Sequence, residues 1–267
     1  MSALKSELSR NAERFRLWQI HALEARPAGS RLETVGPFKV VVPAAADEEP
    51  WVTMIGPELS EPELIEGVAG LRALFDGRPP GWQVEYNDAV LPQAEPWLVA
   101  SGFELMERNP LMACRPDTFT TFAAGGITLT RLDSSSPRPH LEAFQRIRWT
   151  DGGENANPVP QVERLLHELS APASVFLLAW LDGEPAGTGV SHPLKGAAEI
   201  VGVVTRIDRR RRGIAATVTS ELVARHFASD GDFVFLDASG EAAAAVYERL
   251  GFSRFGANLI FSQTPRA

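Results

Sequence analysis

The sequence predicts an α/β protein made of two similar halves, and three observations carry that prediction. Apolar stretches of strand length alternate with longer stretches of helical period, an order that gives a mixed sheet flanked by helices. A glycine–phenylalanine motif recurs: Ser101–Met112 (S-G-F-E-L-M-E-R-N-P-L-M) lies over Leu250–Phe261 (L-G-F-S-R-F-G-A-N-L-I-F) at a constant shift. Gly102/Gly251, Phe103/Phe252 and Asn109/Asn258 then coincide, and the same shift lays Trp51–Ile55 over Ile200–Val204. Finally, a strand starting near Glu199 runs into an arginine-rich loop closed by Gly213, with a helix directly behind it.

In chain order, Leu8, Ala12, Phe15, Trp18 and Ala22 keep helical spacing until Pro27 and Gly29 stop it. Phe38–Val42 and Trp51–Ile55 read as strands, each bounded by proline or glycine. A helix from Pro62 to Phe75 offers Leu64, Ile65, Val68, Leu71 and Leu74 as its apolar side. Trp82–Tyr86 is a strand, Pro92–Ser101 a short helix ended by Gly102, and Phe103–Ala113 is strand-rich. The aperiodic run after Cys114, ending in two glycines, reads as a linker, which divides the chain into residues 1–117 and 125–267. Beyond it come a strand (Ile127–Leu132), a helix with Leu141, Phe144 and Ile147, a loop (D-G-G-E-N-A-N-P-V-P) and a helix with Val162, Leu165, Leu166 and Leu169. Val175–Leu181 and Pro185–Val190 flank D-G-E as a hairpin. Strand Glu199–Thr205, helix Gly213–Phe227, strand Phe233–Asp237, helix Glu241–Leu250 and a strand region Phe252–Ser262 complete the chain.

Composition narrows the function classes. The net charge of −8 over 267 residues opposes a general nucleic-acid surface, which rewards a basic face. One cysteine, Cys114, excludes an internal disulfide framework and fits a reducing compartment. The N-terminal M-S-A-L-K-S-E-L-S-R-N lacks the apolar core of a signal peptide, and no apolar run nears the roughly 20 residues of a membrane span. A cytoplasmic protein without membrane contact, monomeric or homodimeric, is expected. No Cys/His cluster has ligand spacing, so no metal is expected.

Val203, Val204 and Thr205 lead into R-I-D-R-R-R-R-G-I-A (Arg206–Ala215). The first turn of a helix carries unpartnered N–H groups and the positive end of its dipole, and Gly213 admits a ligand close to the backbone. A phosphate site follows, against the plainer reading of a solvated charge run. Tyr247 shares a helix face with Ala243, Val246 and Leu250, which makes it a packing residue or a proton donor. Glu199, at the start of its strand, is a solvated strand end or a proton acceptor, with Asp237 in reserve; simple alternation puts Glu199, Val201, Val203 and Thr205 on one face. His192 offers a second base, but S-H-P-L reads as a strand exit, which makes it an exposed turn histidine.

Arg210-x-x-Gly213-x-Ala215 resembles the pyrophosphate loop, R/Q-x-x-G-x-G/A, of the GCN5-related N-acetyltransferases (GNAT). The preceding strand and V-Y-E-R-L-G-F (Val246–Phe252) at the family's spacing extend the resemblance over about Ile127–Phe261. It implies two GNAT-like domains, each a mixed, mostly antiparallel sheet flanked by helices. It further implies an N-acetyltransferase that moves an acetyl group from acetyl-CoA directly to an amine, on a small molecule or a peptide. By this resemblance Val203, Val204 and Thr205 meet the pantetheine arm. Arg209, Arg210, Arg211, Arg212, Gly213, Ile214 and Ala215 meet the pyrophosphate. Tyr247 protonates the leaving thiolate and Glu199 takes the amine's proton. Gly240 stands where the family often has a coenzyme-contacting asparagine, with Ser239 beside it. Trp149, Glu154 and Asn155 fall where the family's acceptor loop runs.

The repeat shift puts Leu98 at the place of Tyr247, and Ser60, Glu61, Glu63, Leu64 and Glu66 at the places of Arg209, Arg210, Arg212, Gly213 and Ala215. Carboxylates at a helix N-terminus repel a pyrophosphate. The first half is therefore expected to keep the fold without binding coenzyme A. A non-catalytic acyl-CoA sensor and an interaction protein with no coenzyme site are the competing functions.

Overall fold

The computed structural model describes residues 2–26, 29–44, 49–56, 58–76, 82–151, 161–170 and 173–263. The chain divides into two compact units: Met1–Leu111 with Ala238–Gly240 and Arg254–Ala267, and Met112–Asp237 with Glu241–Ser253. Among the described residues, no helix is long and apolar enough to cross a membrane.

The first unit opens with α1 (Ser2–Glu24), whose Ala12, Phe15, Gln19 and Leu23 form a buried stripe. Strands β1 (Arg31–Val35), β2 (Phe38–Val42) and β3 (Trp51–Met54) follow, then α2 (Glu61–Leu74), β4 (Gln83–Asn87), α3 (Ala94–Ala100) and β5 (Phe103–Cys114). The sequence reading has no counterpart for β1: it is an edge strand of mostly exposed residues, so no buried face prints a period-2 pattern. The core gathers Phe38, Val40, Val52, Met54, Leu64, Val68, Leu71, Val84, Tyr86 and Leu98.

The last strand, β11 (Ser253–Gln263), belongs with this sheet from Arg254 onward. It runs antiparallel to β4 in the register Asn258↔Asn87, Leu259↔Tyr86, Phe261↔Val84. The strand order is β1-β2-β3-β4-β11-β5. The division at 1–117 and 125–267 assigns this strand to the second half. The physical reason for the difference is burial: Leu259 and Phe261 complete the first unit's core, with the Phe261 ring stacked 6.1 Å from Tyr86.

The second unit contains β6 (Ile127–Leu132), α4 (Arg138–Arg146), a wide π-type turn (Ile147–Asp151), α5 (Gln161–Leu169), β7 (Val175–Leu181), β8 (Glu184–Leu194), β9 (Ala197–Thr205), α6 (Ile214–Ala228), β10 (Phe233–Asp237) and α7 (Glu241–Glu248). This is the predicted order of elements. The sheet runs β10-β9-β8-β7-β6, antiparallel except for the parallel β9–β10 pair. One face carries α4 and α5 over Leu132, Phe144, Val162, Leu165, Phe176 and Val190. The other carries α6. Helix and sheet meet closely there because β8 reads G-T-G: a Cβ on Gly187 would lie 2.5 Å from Ile214 Cγ2, and one on Gly189 2.4 Å from Val218 Cγ1.

The repeated glycine–phenylalanine motif has a mechanical origin. Gly251 takes φ +90° after α7, so that Gly251 N donates to Glu248 O (3.1 Å) and Phe252 N returns to Tyr247 O (3.2 Å). That is the Schellman helix stop, which needs a left-handed residue at this place. Gly102 does the same work after α3, with φ +85° and Gly102 N donating to Val99 O at 2.9 Å.

Candidate active site

Strands β9 and β10 pair at Phe233↔Ala197, Val234↔Ala198 and Phe235↔Glu199, and then part. From Ile200 to Thr205, β9 keeps its partner on the β8 side and turns an edge toward β10. The β8–β9 register steps from Val190↔Val201 to Thr188↔Val204, so β9 holds an extra residue there. Gly202 makes this bulge possible with φ +58°, and Thr188 Oγ1 fastens it by donating to Gly202 O at 2.9 Å. The bulge overturns the simple alternation. Val201 and Val204 pack on the same cluster under α4 and α5, whereas Val203 Cγ2 lies 3.6 Å from the Cβ position of Gly189 on the α6 face. Glu199 and Val201 share a face; Val203 does not share it. The Thr205 hydroxyl is buried and has no partner among the described residues.

The loop after Thr205 uses its arginines on itself and on the β7–β8 hairpin. Arg206 donates to both oxygens of Asp208 (3.1 and 2.9 Å) and to Pro185 O (2.9 Å). Arg209 and Arg212 both reach Asp182, at 3.8 and 3.7 Å. Arg210 Nε donates to Thr205 O at 3.5 Å, and Arg211 is exposed with φ +64°. Gly213 then caps α6 with φ +80° and no side-chain cap, so the amides of Ile214 and Ala215 open the helix with no side chain on them. The loop is thus a positively charged frame around an uncapped helix N-terminus, a place that favours an anion.

In the first unit the corresponding helix start is occupied. The carboxylate of Glu63 accepts from Ser60 N (2.9 Å) and Ser60 Oγ (2.6 Å), a capping box at the head of α2. The Ser60 hydroxyl bond holds the Glu63 carboxyl below its usual range.

The segment read as a linker is not a free tether. Thr120 N donates to Leu250 O (3.0 Å), Phe122 N to Ser220 Oγ (2.8 Å) and Ala124 N to Thr217 Oγ1 (3.0 Å). It lies along α6 as a strap and ends against Gly213, whose Cβ position is 2.9 Å from Ala124 Cβ and 3.2 Å from the Phe122 ring. Periodicity could not reveal it, because alternate backbone N–H groups fasten it and its side-chain contacts, Phe119 on Phe227 and Phe122 at Gly213, follow no strand or helix period.

Tyr247 lies on α7, 7% exposed, its ring 5.9 Å from that of Phe252. Burial pushes its phenol up to about 12, so it carries its proton at neutral pH. Its hydroxyl has no hydrogen-bond partner among the described residues. Asp237 ends β10 and is exposed. Ser239 is exposed and belongs, with Ala238 and Gly240, to the first unit. Glu154 and Asn155 lie outside the described residues. Trp149 lies in the π-type turn beside Arg148, whose guanidinium sits 5.9 Å from the Trp149 ring centre.

His192 is the residue the sequence reading misplaced. It does not sit in an exposed turn: β8 continues to Leu194, and His192 is half-buried directly opposite Glu199 in the ladder. The S-H-P-L stretch is no strand exit, because Pro193 has its own pair, Ala198, in the ladder.

Residues 141–252 match the model of the acetyltransferase (GNAT) family. The comparison with curated proteins finds no match. Among solved structures, a GCN5-related N-acetyltransferase from Kribbella flavida is similar with a TM-score of 0.76 at 20% identity, over 96% of this chain and 96% of that one. A GCN5-related N-acetyltransferase from Sphaerobacter thermophilus gives 0.62 at 18% identity, over 86% and 78%. A tandem GNAT protein from the clavulanic acid biosynthesis pathway gives 0.63 at 12% identity, over 93% and 88%. At such identities the likeness is one of fold.

Proposed function

We propose, on the premise that residues 141–252 form an acetyltransferase (GNAT) family domain, that this chain transfers an acetyl group from acetyl-CoA directly to an amine on a small molecule or a peptide. The observation that carries the reading is the parting of β9 from β10 after Glu199, with β9 leading through the arginine loop to the uncapped start of α6. An edge of backbone donors and acceptors suits the amide-bearing pantetheine arm, and the buried hydroxyl of Thr205 supplies a further polar atom beside it. The amides behind Gly213 suit the pyrophosphate, with Arg209, Arg210, Arg211 and Arg212 setting the charge around them. Backbone N–H groups near Val203 and Val204, turned by the bulge, would stabilise the oxyanion formed when the amine attacks the thioester. Glu199 would take the amine's proton, and Tyr247, held as a phenol, would give one to the thiolate.

The first half, in this reading, binds no coenzyme A, because the Glu63 carboxylate stands where an anion would have to go. Titration calorimetry with acetyl-CoA should give one site per chain, and a melt at about 100 times Kd should gain roughly 2.7 kcal/mol of stability. Two equivalent sites would refute the silent first half. Binding without acetylation of any amine in a broad screen would replace the enzyme by an acyl-CoA sensor. No binding at all would leave an interaction protein.

A further inference from the structure

The face of β9 that carries Glu199 holds a second group able to accept a proton, and the reading above does not use it. His192 and Glu199 are cross-strand partners, so their side chains leave the sheet on the same side. That side is the one under α4 and α5, where the His192 ring meets Phe176 edge-on at 6.2 Å. Ser174 Oγ lies 2.9 Å from His192 Nδ1, which fixes the ring and leaves Nε2 with no partner among the described residues. The bulge at Gly202 follows on the same strand, and Arg148 Nε lies 3.7 Å from the Cβ position of Gly202.

We propose that His192 and Glu199 form one proton-accepting pair, in which His192 Nε2, in place of the Glu199 carboxylate, takes the proton of the amine acceptor and Glu199 balances the imidazolium charge. The inference rests on the acyl-transfer reading. As the amine lone pair forms the bond to the thioester carbon, an N–H bond breaks and its proton goes to Nε2; the electron pair of the C–S bond leaves with sulfur, which Tyr247 protonates. In the tautomer whose Nδ1–H donates to Ser174 Oγ, the one the pair requires, the lone pair of neutral imidazole lies at Nε2.

The surroundings keep the ring ready for that step. Burial lowers the His192 pKa from its ordinary value; the carboxylate of Glu168 on α5 pulls it upward and the Arg148 guanidinium downward. Glu168 is itself bound to Arg148 at 3.1 Å, which blunts its pull. Glu199 faces the ring from β9, Ser174 precedes β7, and Phe176 is the apolar wall. Neutral imidazole is thus the resting form at pH 7, and in the proposed pair Glu199, its partner in the ladder, offsets the charge gained on protonation.

The test is made on the full chain, with acetyl-CoA and a panel of primary amines (a diamine, an amino sugar, a lysine peptide, a peptide with a free N-terminus), following thiol release against pH. His192→Gln should lower kcat by about a hundredfold and abolish the acid limb of the pH profile, with the Kd for acetyl-CoA unchanged. Imidazole NMR, with the His192 signal identified by its loss in His192→Gln, supplies a readout free of turnover. The ring should be neutral at pH 7, and Glu199→Gln should lower its pKa further. Unchanged rate and pH profile in His192→Gln, with the wild type active, overturn the pair and leave the acyl-transfer reading standing. A His192 pKa unmoved by Glu199→Gln overturns it independently. A wild type inactive toward the whole panel overturns both.

Discussion

Replacing Tyr247 by Phe separates chemistry from packing in one variant. The phenol is buried and its hydroxyl has no partner among the described residues, so at pH 7 the variant loses no hydrogen bond and stability should change by less than about 1 kcal/mol. The alkaline range should tell more. The Tyr247 pKa stands at about 12 in the folded chain against an ordinary 10.0, and burial is the cause. A raised folded pKa leaves stability intact below pH 10 and removes it as pH climbs toward 12, because only the unfolded state ionises freely in that window. At about 1.36 kcal/mol per unit the loss approaches 2.7 kcal/mol. Denaturant melts at pH 8, 10 and 11.5 should show that loss in the wild type and a shallower one in Tyr247→Phe. Catalysis should fall by on the order of 10²–10⁴ if the phenol is the acid, with acetyl-CoA affinity kept. Parallel alkaline curves for the two proteins would refute the buried, unpartnered phenol, and an undiminished kcat would refute the proton donor.

The remaining predictions concern the frame around the site. Gly251→Ala puts a Cβ within 1.9 Å of Thr118 O at a φ of +90°, so it should cost roughly 2–4 kcal/mol in urea melts; a change within about 0.5 kcal/mol would show that strap and helix stop are not braced against each other. Burial pushes the Cys114 thiol up to about 11, with Thr118 Oγ1 and Leu250 O each 3.7 Å from its sulfur. Only about one thiol in a thousand is then thiolate at pH 8. The native chain should resist iodoacetamide there and react promptly once unfolded; fast native labelling would contradict the burial.

The order of elements was legible because each helix and most strands bury one local face, and a local face prints a period. The start of α6 was legible for a similar reason: arginines, Gly213 and an apolar helix follow one another in the chain. What escaped the sequence was pairing. Leu259 and Phe261 alternate equally well for either sheet, and only the register with Tyr86 and Val84 places β11 in the first unit. Pro193 looked like a strand end until Ala198 stood opposite it. The bulge had the largest consequence. One inserted residue at Gly202 reverses every side chain beyond it, so Val203 turns to α6 while Glu199 and Val201 stay with α4 and α5. A straight strand would put Glu199 and Val203 on one face, the proposed proton acceptor and the proposed pantetheine contact competing for the same side of the sheet. The bulge assigns them opposite faces. Glu199 and His192 stay together on the side under α4 and α5, away from the packing that holds α6.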